Sequence, residues 1–160
     1  MTRRIGFLMA GLVFGSIVLF GQSAQEDRYQ KWLKEDVDYI IEPAEKKMFL
    51  KLKTDAEREE FIKAFWLRRD PDPDTEVNEY QDEYYERIAY ANKNFAFGNA
   101  AGWRADRGRI YILFGEPDQK LKTPSGEIWK YRYILALRAG SEFEFIHIPG
   151  TDDLRLRAQP

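Results

Sequence analysis

Along this chain the spacing of apolar positions changes once. From Trp32 to about Phe95 they recur every three or four residues, and beyond Gly98 they alternate. The first pattern belongs to helices with one buried stripe, the second to strands with one buried face. Pro43 opens a short helix to about Leu52, since proline is tolerated in a first turn. Thr54, with Glu57 three residues on, forms a capping box that starts a second helix with the stripe Phe61, Ile62, Phe65 and Trp66. "RRDPDPD" ends it, because Pro71 and Pro73 interrupt the backbone ladder. Thr75 is expected to cap a longer helix in which Val77, Tyr80, Tyr84, Ile88, Ala91 and Phe95 share a face, with Gly98 as its stop. After it, "RIYILF", "EIWKYRYIL", "EFEFIHI" and "LRLR" are expected as strands, the first two separated by a "GEPDQKLKTPSG" loop. Helices first and strands later predict an α+β fold, with two to three N-terminal helices packed on a C-terminal antiparallel sheet of three to four strands.

The first residues do not fit that scheme. Residues 1–23 combine Arg3 and Arg4, an apolar run from Ile5 to Phe20, and small residues at Gly21 and Ser23, which is the arrangement of a secretory signal peptide. The apolar run is shorter than the roughly 20 residues of a spanning helix, so cleavage before Ala24 is expected rather than retention as an anchor. This divides the chain into a leader, 1–23, and one domain, 24–160, with no membrane span after cleavage and a periplasmic or secreted destination.

Composition narrows the chemistry. Aromatic residues make up 15% of the chain, enough large side chains for a real core. The net charge of −2 comes without a basic stripe, because Lys46-Lys47 and Arg68-Arg69 are flanked by acids; no nucleic-acid partner is expected. The chain has no cysteine, which excludes disulfides, thiolate zinc sites, a cysteine nucleophile and lipidation of an N-terminal cysteine. Asp70, Asp72 and Asp74 alternate like the first ligands of a calcium loop. Yet two prolines stiffen them, Thr75 stands where glycine is needed and Gln81 where the bidentate glutamate belongs, so a rigid turn is the better reading. His147, the only histidine, lacks the partners of a triad or metal cluster and is expected as a half-buried packing residue. No metal and no cofactor are expected.

The most patterned stretch is "GWRADRGRIYILFGEPD", Gly102 to Asp118. Glu116 and Asp118 straddle Pro117, and such a carboxylate pair suits either acid–base work or a turn. Gly102, Gly108 and Gly115 match neither the dinucleotide fingerprint nor the phosphate loop. Read as structure, Gly102 and Gly108 permit unusual backbone angles, Trp103 plugs the junction of the long helix with the first strand, and Asp106 caps amides or pairs with Arg69 or Arg107. Trp129, Tyr131 and Tyr133 form one face of their strand; they meet the helices, or where exposed form a partner surface.

That stretch resembles the signature of the GWxTD domain family, exported bacterial proteins known mainly as a conserved domain of unknown function. The resemblance extends over "WLKEDVDYII", the "RRDPDPDT" segment, "RIAYAN" and "EIWKYRY". One position departs: the family threonine is Ala105 here, beside Gly102, Trp103 and Asp106. Were that hydroxyl a nucleophile, this chain would lack it; if it is a helix cap or turn bond, Asp106 could serve in its place. The sequence therefore favours a non-enzymatic envelope interaction module, with no catalytic residue, whose partner is another envelope protein or a second copy. The alternative is a carboxylate-based or metal-assisted hydrolase using Asp106, Glu116 and Asp118, with Arg107 or Arg109 holding an anionic substrate.

Overall fold

The computed structural model describes residues 25–158; the leader read at residues 1–23 lies outside them. A helix through residues 25–31 (α1) runs into a π-helical turn, Trp32–Asp36. Next come α2 (Pro43–Phe49), α3 (Asp55–Leu67), α4 (Glu79–Asn94), a 3-10 turn at Gly102–Arg104, and α5 (Asp106–Phe114). Four strands follow: β1 (Gln119–Thr123), β2 (Gly126–Ile134), β3 (Ala139–His147) and β4 (Leu154–Leu156), one antiparallel sheet in the order β1-β2-β3-β4. The α+β order of helices before sheet is thus as the sequence predicts. No helix of the described residues is long and apolar enough to cross a membrane.

Local chemistry explains where the helices start. Glu57 N–H donates to Thr54 Oγ1 at 3.2 Å while the Glu57 carboxylate accepts from the Thr54 N–H at 2.9 Å, closing the expected capping box. Thr75, by contrast, does not cap α4. Its hydroxyl bonds the Asp72 and Val77 carbonyls, and Asn78 caps instead, accepting from Gln81 N–H at 2.8 Å and donating to the Trp66 carbonyl at 2.8 Å. One amide side chain thus starts α4 and ties it to α3, which a hydroxyl cannot do across that gap. Val77, expected on the buried face of the helix, is left exposed ahead of it. In the turn between α3 and α4, Asp70 and Asp72 each accept from the N–H two residues on. This is the rigid turn expected of that segment.

The core has two connected regions. Trp32, Phe49, Phe61 and Phe65 pack edge-to-face or tilted within the first three helices, and Trp66 continues the contact to Tyr84 and Tyr85 of α4. Tyr90, Phe95, Tyr111, Trp129 and Phe145 carry it from α4 through α5 into the sheet. An ion-pair hub fastens the first region. Glu45 of α2 accepts from Arg68 at 2.7 Å and Arg69 at 2.6 Å, and Arg69 lies 3.6 Å over the Phe65 ring while donating to the Ile40 carbonyl. Burial opposes the charge on Glu45, but hydrogen bonds from Arg69, Arg68 and the Glu42 N–H outweigh it and hold its pKa at about 2. A depressed carboxylate stabilises the fold above its unfolded pKa near 4.5 and loses that contribution as pH falls through about 2. Chemical unfolding between pH 5 and 2 is therefore expected to show a steeper acid loss in the native chain than in Glu45→Gln. Equal slopes would remove Glu45 as the cause.

Two expected strands need correction. "RIYILF" is the body of α5, not a strand. The first strand is β1, which lies inside the expected loop and is exposed at four of its five positions. The aromatic face of β2 is also interrupted. Trp129 and Tyr131 are buried, but the register shifts between Tyr131 and Ile134, so Ile134 turns inward and Tyr133 is 59% exposed. His147 is exposed rather than half-buried.

Candidate functional site

The signature stretch is the meeting point of α4, α5 and the edge of the sheet. Gly102 and Gly108 do not supply unusual backbone angles, as the sequence suggests; neither has a positive φ. They supply room. A Cβ on Gly102 would stand 1.9 Å from the Ala91 carbonyl oxygen of α4, and a Cβ on Gly108 would stand 1.9 Å from the Gly102 carbonyl oxygen. Backbone is thus stacked on backbone from α4 through the 3-10 turn to α5. Gly115 ends α5 with φ 77°, and its carbonyl accepts from the buried Tyr131 hydroxyl at 2.8 Å.

Trp103 sits elsewhere than expected. Half-buried, it packs edge-to-face on Tyr39 at 5.9 Å, under the Arg104 guanidinium; its N–H donates to Asn92 and its carbonyl accepts from the Tyr39 hydroxyl. It therefore joins α4 to the segment before α2, not to a strand. Tyr39 can reach it because the π-helical turn and the bonds of Ile40 and Ile41 N–H to the Val37 carbonyl fold that segment back.

Ala105 occupies the N-cap position of α5, extended and buried, with no side chain to accept from the first turn. A threonine there would place its hydroxyl over the N–H of Gly108, three residues on. The family residue absent here thus falls on a capping position. Asp106 does not replace that cap. Its carboxylate accepts from the Leu156 N–H of β4 at 2.8 Å and pairs with Arg109 at 3.5 Å, not with Arg69 or Arg107. Arg107 instead pairs with Glu127 of β2 at 3.3 Å and lies over Phe95.

The acids of the hydrolase reading do not share a site. Asp106 begins α5, whereas Glu116 and Asp118 follow its end, about 13 Å away along nine helical residues. Glu116 pairs with Lys120 at 3.1 Å. Asp118 accepts from the backbone and side chain of Arg132 at 2.8 and 2.6 Å, and those bonds, the backbone one first, hold its pKa below the usual value. Pro117, buried between them, holds the two carboxylates on exposed turn positions. Among the described residues no group of acids and histidine is placed to hold a metal.

What the structure does gather is an open groove of about 760 Å³ beside β3, lined among others by Asp106, Arg109, Leu137, Ser141, Phe143 and Leu156. It exists because β4 is three residues long against the nine of β3. Ile148 N–H donates to the Asp153 carbonyl and Arg157 N–H to the Glu144 carbonyl. These contacts give the ladder its alternate-residue rhythm, so the next outward-facing backbone groups belong to Glu142 and Gly140. On the side of β3 away from β2, no strand among the described residues lies beside Ala139–Phe143. The sequence signal for this edge was the mismatch between the long "EFEFIHI" run and the short "LRLR".

No curated protein and no solved structure matches the chain. The GWxTD domain, however, matches residues 19–153, which spans every element from α1 to β3. With Gly102 packed on α4, Gly108 on Gly102 and Asp106 tied to β4, the chain belongs to the GWxTD domain family.

Proposed function

We propose that this chain is an exported, non-enzymatic interaction module of the bacterial envelope, which receives an extended segment of a partner along the free edge of β3. The observation that carries this reading is the edge of β3 from Ala139 to Phe143, unpaired on the side away from β2 among the described residues, with a groove beside it. An edge of this kind offers main-chain hydrogen bonds to an added strand, and alternate side chains of that strand would meet Leu137, Phe143 and Leu156 on one face. The separation of Asp106 from Glu116 and Asp118 supports binding over hydrolysis. The partner is another envelope protein or a second copy of the chain.

A photo-cross-linking residue in place of Ser141, which lines the groove, is expected to give one discrete adduct in living cells. The same residue in place of exposed Lys51, in the turn after α2 and outside the groove lining, is expected to give none. Absence of an adduct at position 141 would refute strand addition. Export is tested separately by N-terminal mapping of the chain from envelope fractions, where Ala24 is the expected first residue and an intact Met1 would remove the cleaved leader.

A further inference from the structure

The hairpin between β2 and β3 carries a second surface, which shares Leu137 with the groove and otherwise lies beyond it. Its last paired residues are Ile134 and Ala139, so Leu135, Ala136, Leu137 and Arg138 project past the end of the sheet. Leu135 is 81% exposed and Leu137 50%, and Tyr133 just behind them is also turned outward. Three large apolar side chains within five residues, each at least half exposed, make a patch rather than scattered exposure.

Charge is layered behind the patch. From Ile128 to Ser141 the chain holds Lys130, Arg132 and Arg138 and no acid, within a protein whose net charge is −2. Lys130 and Arg132 are bonded to Glu142 and Asp118, but the Arg132 side chain stays 89% exposed. Arg138 makes no ion pair among the described residues. It also holds φ 53°, the only positive φ outside glycine among the described residues, in a turn closed by Leu137 N–H to the Ile134 carbonyl and Arg138 N–H to the Leu135 carbonyl. Glycine would adopt that angle without strain, so arginine at this position costs the fold some backbone strain.

We propose that this tip is a lipid contact: Leu135 and Leu137 enter the acyl boundary of an anionic bilayer, Tyr133 lies at the interface, and Arg138 with Arg132 meets the headgroup phosphates. Leu135 stands outside the groove that Leu137 borders, and an anionic bilayer fits the tip because it takes up a small apolar end while its phosphates meet the arginines behind it. Aromatic hydroxyls and arginine stems are suited to the layer behind it. The proposal shares Leu137 with the groove but depends on neither strand addition nor the fate of residues 1–23.

Because the chain has no cysteine, Ala136→Cys gives a single attachment point between the two leucines for an environment-sensitive fluorophore. With vesicles of phosphatidylcholine and phosphatidylglycerol, whose negative surface attracts juxtaposed arginines, its emission is expected to rise and shift to the blue, and to do so less with phosphatidylcholine alone. A lipid-borne quencher should reach it. The same label at Lys51→Cys should not respond. Leu135→Ser with Leu137→Ser is expected to abolish the response, lowering apparent affinity about tenfold or more, with melting temperature unchanged. Arg138→Gly should weaken the response on anionic vesicles while raising melting temperature, a pairing that a purely structural arginine would not produce. An unchanged emission at position 136 in the presence of vesicles would overturn the proposal, and so would a response that survives the double serine variant; either result would leave the tip to a protein partner.

Discussion

Replacing Gly102 with alanine is expected to cost ~4 kcal/mol, enough to unfold much of the population at 37 °C. The added Cβ would meet Ala91 O at 1.9 Å, Ala91 C at 2.7 Å and Ala96 N at 2.8 Å, all backbone atoms of the end of α4 and the segment leaving it. Backbone inside a packed interface has no rotamer to change. Relief therefore requires α4 and the 3-10 turn to separate, and α5 would follow because Gly108 rests on the Gly102 carbonyl. Gly98→Ala is the control. Gly98 has φ 52° but nothing within 4 Å of the added carbon, so its cost is only the backbone strain of about 1 kcal/mol. Urea unfolding followed by circular dichroism ranks the two. A Gly102→Ala midpoint as close to the native one as that of Gly98→Ala would mean that the stack of α4, turn and α5 is not what these glycines serve.

The same stack explains why the helical half was legible and the signature stretch was not. The α3 start and the stripe around Phe65 and Trp66 followed from local chemistry, because α3 is covered on one side only and its capping partners lie within four residues. For α5 those conditions fail. Ile110, Tyr111 and Ile112 are consecutive and all buried, since the helix is wedged between α4 and the sheet. A short helix covered on several sides has no polar stripe, and its β-branched and aromatic residues then look like a strand. The signals present were an acid in the first turn, Asp106, and Gly115 just past the end. β1 escaped for the opposite reason: an edge strand exposed on both faces has no apolar alternation to reveal it. Tyr133 shows a third limit, because a bulge changes which residue faces inward without changing the composition of the strand. The candidate site suffers from all three effects. Its groove depends on how far β4 runs beside β3, a property of pairing rather than of either strand alone.

Asp106→Ala is expected to lower stability by about 2–3 kcal/mol, roughly 8 °C in melting temperature for a domain of this size. The carboxylate accepts the Leu156 N–H at 2.8 Å, the bond that holds β4 to the first turn of α5, and its charge lies favourably at that helix's N-terminus beside Arg109. Removing it leaves a part-buried amide without a partner and loosens the wall of the groove at once, so cross-linking from Ser141 should fall with stability. Asp106→Asn keeps an acceptor but loses the charge, and an intermediate cost is expected. An active-site acid would show the reverse, since neutralising a carboxylate held for chemistry commonly leaves stability unchanged or improved. Ala105→Thr addresses the neighbouring position with opposite sign. Its hydroxyl would accept the Gly108 N–H that no side chain now caps, raising stability by about 1 kcal/mol. A gain in melting temperature without new hydrolytic activity makes the family threonine a helix cap that this chain has given up, while its neighbouring acid still secures the strand at the edge of the groove.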